Sequence, residues 1–112
     1  MTIKIERGFN PMTDRYEFDF RKCSYATGWA QLDTRQDASY YGNWVNPIER
    51  KLVNYCEGDV TIVACDTDEE FVEQVRWHCQ WHDERGYGPA RIDAGNILKQ
   101  PFEALGLGDL LH

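Results

Sequence analysis

The chain has no apolar run approaching the ~18 residues of a membrane-spanning helix, so a helical membrane protein is excluded as a function class. Its first residues, Met1-Thr2-Ile3-Lys4-Ile5-Glu6-Arg7, lack the apolar stretch of a secretory signal. Nothing there directs export, and a soluble protein of the cytoplasm is the expectation. The four cysteines, Cys23, Cys56, Cys65 and Cys79, are widely spaced and include no C-x-x-C pair. In a reducing compartment they are expected as free, buried thiols that behave as small apolar residues.

Basic charge is also scarce. The net charge is −7, and it is unevenly placed. Residues 1–56 carry eight Lys and Arg against seven Asp and Glu, whereas residues 57–112 carry four against twelve, a balance of −8. Such a half repels the phosphate backbone, which disfavours direct nucleic-acid binding. It can attract a basic protein surface, including one that itself holds nucleic acid. Catalytic signatures are missing too. There is no phosphate-cradling glycine loop, nucleophile elbow or EF-hand spacing. Ser24 and Ser39 lie in no motif that would make either a nucleophile. No enzymatic activity and no cofactor is expected.

What is present fits one domain spanning 1–112. At this size folding buries roughly two-thirds of the unfolded surface, enough for a core without staples or metals. Hydrophobic residues make up 42% and aromatics 13%, which excludes a disordered chain.

Two hairpins are predicted. In the first, Ile3 and Ile5 alternate with polar residues, as do Tyr16, Phe18 and Phe20, around turn chemistry at 10–14. In the second, Lys51–Cys56 and Val60–Cys65 flank a three-residue loop, Glu57-Gly58-Asp59. That loop would pair Cys56 with Val60, Asn54 with Ile62 and Leu52 with Ala64, and would turn Cys56 and Cys65 to opposite faces. Both faces are largely apolar, so these strands are expected to be central and covered on both sides.

The helix signal is strong. Thr67-Asp68-Glu69-Glu70 matches a capping box, with Thr67 as cap and Glu70 reaching back. The helix is predicted from Asp68 to about Glu84, with Gly86 as a left-handed stop. At 100° per residue Phe71, Val72, Val75, Cys79 and His82 share an arc of about 100°, with His78 beside it; Glu69, Glu73 and Gln80 lie opposite. A short helix near Phe102 to Leu105, closed by Gly106, is predicted in the tail. The expected fold is α+β: an antiparallel sheet of four or five strands, built from two hairpins, with one main helix packed across it.

Several constellations invite a functional assignment. His78 and His82, four apart, can project from one helix face as zinc ligands do, with Cys79 nearby and Cys56 or Cys65 reaching across from the sheet. The general-base Glu of H-E-x-x-H is missing, so any metal there would be structural, and the favoured reading is two half-buried histidines at the edge of a helix–sheet interface. Trp77 and Trp81 lie on the helix flank near Glu70 and Glu84. They either pack against the C-terminal tail or form an aromatic-acidic contact patch. The acids Asp66, Asp68, Glu69, Glu70 and Glu73 also suit the dipole at a helix start. The stretch 25–47 carries Tyr25, Trp29, Tyr40, Tyr41 and Trp44 among polar residues, and these rings either complete the core or form a recognition loop. With only Arg35 among them, base stacking is disfavoured.

The segments Thr27-Gly28-Trp29-Ala30-Gln31-Leu32-Asp33-Thr34 and Gln36-Asp37-Ala38-Ser39-Tyr40-Tyr41-Gly42-Asn43-Trp44, continuing through Cys56-Glu57-Gly58-Asp59-Val60-Thr61 to the helix, resemble small uncharacterised proteins of proteobacterial plasmids and prophages. The resemblance covers about three-quarters of the chain and implies no activity, cofactor or catalytic residue. It does imply a mobile-element protein, and small acidic proteins of that kind often inhibit host defence, an inference by analogy. The expectation is therefore a binding module for a basic, nucleic-acid-handling protein, as an anti-CRISPR or anti-restriction inhibitor would be. Its contact residues would be Glu69, Glu70, Glu73, Trp77, Trp81, Glu84, Tyr40, Tyr41 and Trp44. A structural metal site at His78 and His82 is the alternative, and an accessory protein of a mobile element is another.

Overall fold

The computed structural model describes residues 3–7, 24–33, 41–56, 59–85 and 90–111. Its strands are β1 (Ile3–Arg7), β2 (Ala30–Asp33), β3 (Tyr41–Asn46), β4 (Lys51–Cys56), β5 (Asp59–Cys65) and β6 (Arg91–Asp93); its helices are α1 (Asp68–Glu84) and α2 (Gly95–Ala104). The strands form one sheet in the order β1-β5-β4-β3-β2-β6, with every neighbouring pair antiparallel. This is an α+β fold with its main helix against the sheet. The sixth strand, beyond the four or five predicted, is β6. At three residues it is too short to leave a periodic signal, and it forms by adding to the edge of β2.

The β4–β5 hairpin is in the predicted place, one residue out of register. Cys56 pairs with Asp59, Val53 with Ile62 and Leu52 with Val63, so the loop is two residues long. Two- and three-residue loops both accommodate a glycine, so Gly58 could not decide between them. The slip of one moves β5 to the other alternation class relative to β4. Leu52 therefore shares a face with Val63 and Cys65. Positions 56 and 65 fall in the same class, which corrects the opposite-face expectation. Cys65 lies level with Arg50, six residues from Cys56, so about 20 Å separates the two positions. β1 pairs with β5, Ile5 opposite Val63; the predicted partner strand at 16–20 lies outside the described residues.

Leu52, Cys65, Val45, Ala30, Leu32 and Ile92 present one face of the sheet to α1 and α2. They bury with Phe71, Val75 and Cys79 of α1, Leu98 and Phe102 of α2, and Leu107. Val53 and Ile62 face the other way and are buried as well, at 1% and 8% exposure. The expectation of central strands covered on both sides holds at this pair. The 17 residues of α1 run about 25 Å, enough to pass over the gaps between β5 and β6, about 19 Å in all. That length lets the chain leave one side of the sheet and re-enter at the far edge.

The first turn of α1 is capped as predicted. The Thr67 hydroxyl accepts from the Glu70 backbone N–H at 3.2 Å, while the Glu70 carboxylate accepts from Asp66 N–H at 3.3 Å. At the other end Arg85 is the cap, donating to Trp81 O; Gly86 lies outside the described residues. α2 begins about seven residues before the predicted short helix. Pro101 argues against an uninterrupted helix there, yet burial of Leu98 and Phe102 outweighs the lost hydrogen bond. Its end is a Schellman motif. Gly106, at φ 77°, donates to Glu103 O, and Leu107 donates to Phe102 O, which brings buried Leu107 against Phe102. No helix among the described residues is long and apolar enough to cross a membrane.

Candidate functional site

With Phe71, Val75 and Cys79 turned to the sheet, α1 must present its other side to solvent. Glu69, Glu73 and Trp77 recur every four residues, so they stack in one row along that side. All three are exposed, Trp77 at 54%. More than half of the Trp77 side chain is thus open to solvent, and its ring meets His78 edge-on, centroids 5.4 Å apart. The C-terminal tail is held by Arg76, next along the helix.

The predicted contact residues are not equivalent. Glu69 and Glu73 make no hydrogen bond or ion pair among the described residues. Glu70 is half-buried, and its carboxylate serves the helix cap. Glu84 is exposed and accepts from the Gln80 amide at 3.0 Å. Trp81 is half-buried, with the Arg85 guanidinium 3.9 Å above its ring. Trp44 lies in the alternation class of Val53, on the sheet face away from α1, so the fold does not bring it to the Glu69–Trp77 row. Its ring crosses Gly42, where a Cβ would come within 2.5 Å of it. Tyr40 lies outside the described residues, and so does the side chain of Tyr41, whose backbone belongs to β3.

One feature of the site has no signal in the sequence. A groove of about 480 Å³ runs between the start of α1 and the end of α2, lined by Asp68, Glu69, Val72, Glu73, Ala104 and Leu105. Its acidic wall and Val72 of its apolar floor come from α1, whereas Ala104 and Leu105 of the floor come from some thirty residues further on, brought there by the packing of α2 beside α1. Asp68, at one end, lies 3.5 Å from the Arg50 guanidinium. A smaller hollow of about 210 Å³ opens at the start of α2, with Lys99 and Asp93 both on its rim. The Asp93 carboxylate already accepts from the Tyr25 hydroxyl at 2.7 Å.

Of the proposed metal ligands, His78 is half-buried and the side chain of His82 lies outside the described residues. Cys65 and Cys79 are free and buried. Burial pushes the Cys79 thiol up to about 11, against the opposing pull of Arg76 and Arg91. Burial also raises the Cys65 thiol, helped by Glu70 and Asp66. Both thiols are therefore held protonated at neutral pH, which disfavours either as a nucleophile. Among the described residues no group of three or more His, Cys, Asp or Glu could hold a metal ion. Compared with family models, with curated proteins and with solved structures, the chain matches none.

Proposed function

We propose that the protein is a non-enzymatic binding module that docks through the outer face of α1 onto a basic surface of another protein. The observation that carries this is the solvent-exposed Trp77 standing in one row with Glu69 and Glu73. A large aromatic left in water adds little to folding, whereas tryptophan is enriched among the few residues that dominate binding energy. The two carboxylates supply the field that steers a cationic partner towards it. The excess of acid over base in residues 57–112 adds to that field. In the narrower form of the proposal, the partner's basic surface normally holds nucleic acid, as in a host defence complex, and docking blocks it.

The test begins with a partner captured from the native host and proceeds to binding kinetics. In Glu69→Lys/Glu73→Lys, melting should stay at the wild-type temperature while association slows by roughly tenfold or more. The wild-type on-rate should fall as salt rises, because exposed charges are screened over roughly 8 Å at physiological ionic strength. Trp77→Ala should act mainly by hastening dissociation. Binding that ignores salt, charge reversal and Trp77 alike would remove α1 from the interface. For the narrower form, nucleic acid should compete with this protein for the captured partner; simultaneous binding of both would refute the blocking role.

A further inference from the structure

We infer that the groove between the start of α1 and the end of α2 is an anchor pocket for one arginine side chain, presented by an extended segment of the partner. The inference rests on the docking function above and specifies its chemistry. The guanidinium would lie between Glu69 and Glu73, with its aliphatic stem on Val72, Ala104 and Leu105.

Three observations converge on that occupant. Glu69 and Glu73 are one turn apart, so their Cβ atoms are about 5–6 Å from each other, a spacing that lets two carboxylates bracket a planar, multi-donor cation. Neither is engaged among the described residues, while Asp68 already shares its charge with Arg50. Among the described residues, the negative charge left without a partner is therefore concentrated at the middle of the groove wall. The floor is apolar and fixed. Val72 and Leu105 are half-buried against the core cluster, and the Schellman turn at Gly106 holds Leu105 in place. A carboxylate wall over an apolar floor suits a side chain with an apolar stem and a cationic tip. Arginine fits better than lysine, because its guanidinium is weakly hydrated and forms paired hydrogen bonds, whereas an ammonium is a compact, strongly hydrated point charge. At about 480 Å³ the groove has room for this side chain and the backbone on either side of it. Trp77, one turn beyond Glu73, is placed to meet the residue that follows.

The experiment is a heteronuclear NMR titration of the full chain with acetylated, amidated Gly-Arg-Gly, and with the same tripeptide carrying citrulline, which is isosteric and uncharged. The arginine peptide should shift the amides of Val72, Glu73, Leu105 and Gly106, with a Kd in roughly the millimolar range for so small a probe. Citrulline should not. Two variants act on separate parts of the pocket: Glu69→Gln/Glu73→Gln removes the charge, and Ala104→Trp fills the exposed floor while keeping every carboxylate. Each should weaken the arginine response by about tenfold. Equal responses to both peptides would overturn the pocket, as would shifts spread evenly over other exposed carboxylates such as Glu84 and Glu103. An unchanged response in Ala104→Trp would overturn it too. Because the probe is a free tripeptide, these results stand apart from the partner assay, in which binding indifferent to salt, charge reversal and Trp77 alike would sink the docking function instead.

Discussion

Gly28 has φ +90°, and a Cβ there would lie 2.8 Å from the Asn46 amide nitrogen. Asn46 is fully buried and uses its whole hydrogen-bonding capacity. Its oxygen accepts from Ile48 and Glu49 N–H, and its nitrogen donates to Glu49 and to Thr27 O. It thus ties the turn after β3 to the segment before β2. Gly28→Ala adds left-handed strain and displaces this hub, so a loss of about 2–3 kcal/mol is expected. In a domain of this size that lowers the melting temperature by roughly 10 °C; a change below about 1 kcal/mol would show that the hub tolerates displacement. A second expectation concerns His78 and His82. If they are boundary residues, purified protein carries no stoichiometric zinc and a chelator leaves the melting temperature unchanged. One zinc per chain, lost together with stability, would instead establish the structural-metal alternative. At this scale the sequence was informative about the cap, since the Thr67 hydroxyl and the Glu70 N–H meet as the capping box requires. It was silent on Asn46, because hydrogen bonds to the backbone of 27, 48 and 49 leave no periodic trace.

The C-terminal tail is held by a clasp rather than by length. Arg76 of α1 donates from both terminal guanidinium nitrogens to the Asp109 carboxylate at 2.9 Å, and from one of them also to Gly106 O at 2.8 Å, while Arg91 of β6 donates to Asp109 O. The Arg76 guanidinium holds the Asp109 carboxyl below its ordinary value of 3.8. A depressed folded value means that the carboxylate contributes stability above pH 3.8, and that this contribution disappears as pH falls through the lower, folded value. Asp109→Asn should abolish that part of the acid response. It should also loosen the tail, read as faster hydrogen exchange at Leu107, Leu110 and Leu111, while exchange in β4 and β5 is unchanged. Uniformly faster exchange would mean that the clasp supports the whole fold. The elements themselves were unequally legible. The apolar period of α1 runs unbroken, and its predicted range from Asp68 to about Glu84 matches the observed one. In α2 only the last turn was predicted, and packing of Leu98 and Phe102 carries the helix through Pro101 to its start at Gly95. β6 and the β1–β5 pairing depend on contacts between segments far apart in sequence, which local patterns do not encode.

Across the whole molecule the charge asymmetry and the α1 stripe were legible, because both follow from counting and from helical period. The groove was not, because it exists only once the end of α2 lies beside the start of α1. This groove and row give the protein a conflict between stability and binding. Glu69 and Glu73 are like charges one turn apart, an arrangement that destabilises a helix by about 0.2–0.5 kcal/mol. Glu73→Lys replaces that repulsion with a pair of the favourable polarity, glutamate four residues before lysine. It also reduces the net charge of −7 by two, easing the self-repulsion of the compact state. The side chain is exposed, so the longer lysine has room in solvent. Glu73→Lys should therefore raise stability by roughly 0.5–1 kcal/mol in low salt, with the gain shrinking as salt screens the pair. The same substitution should weaken both the arginine tripeptide and the captured partner. Chemical denaturation at two ionic strengths, run beside the binding assays, measures both sides of the exchange. Greater stability with binding lost is the expected pattern, in which the carboxylate pair is kept for docking at the expense of the helix. Reduced stability would instead mean that Glu73 serves the fold, and the row would lose its claim to be a surface set aside for a partner.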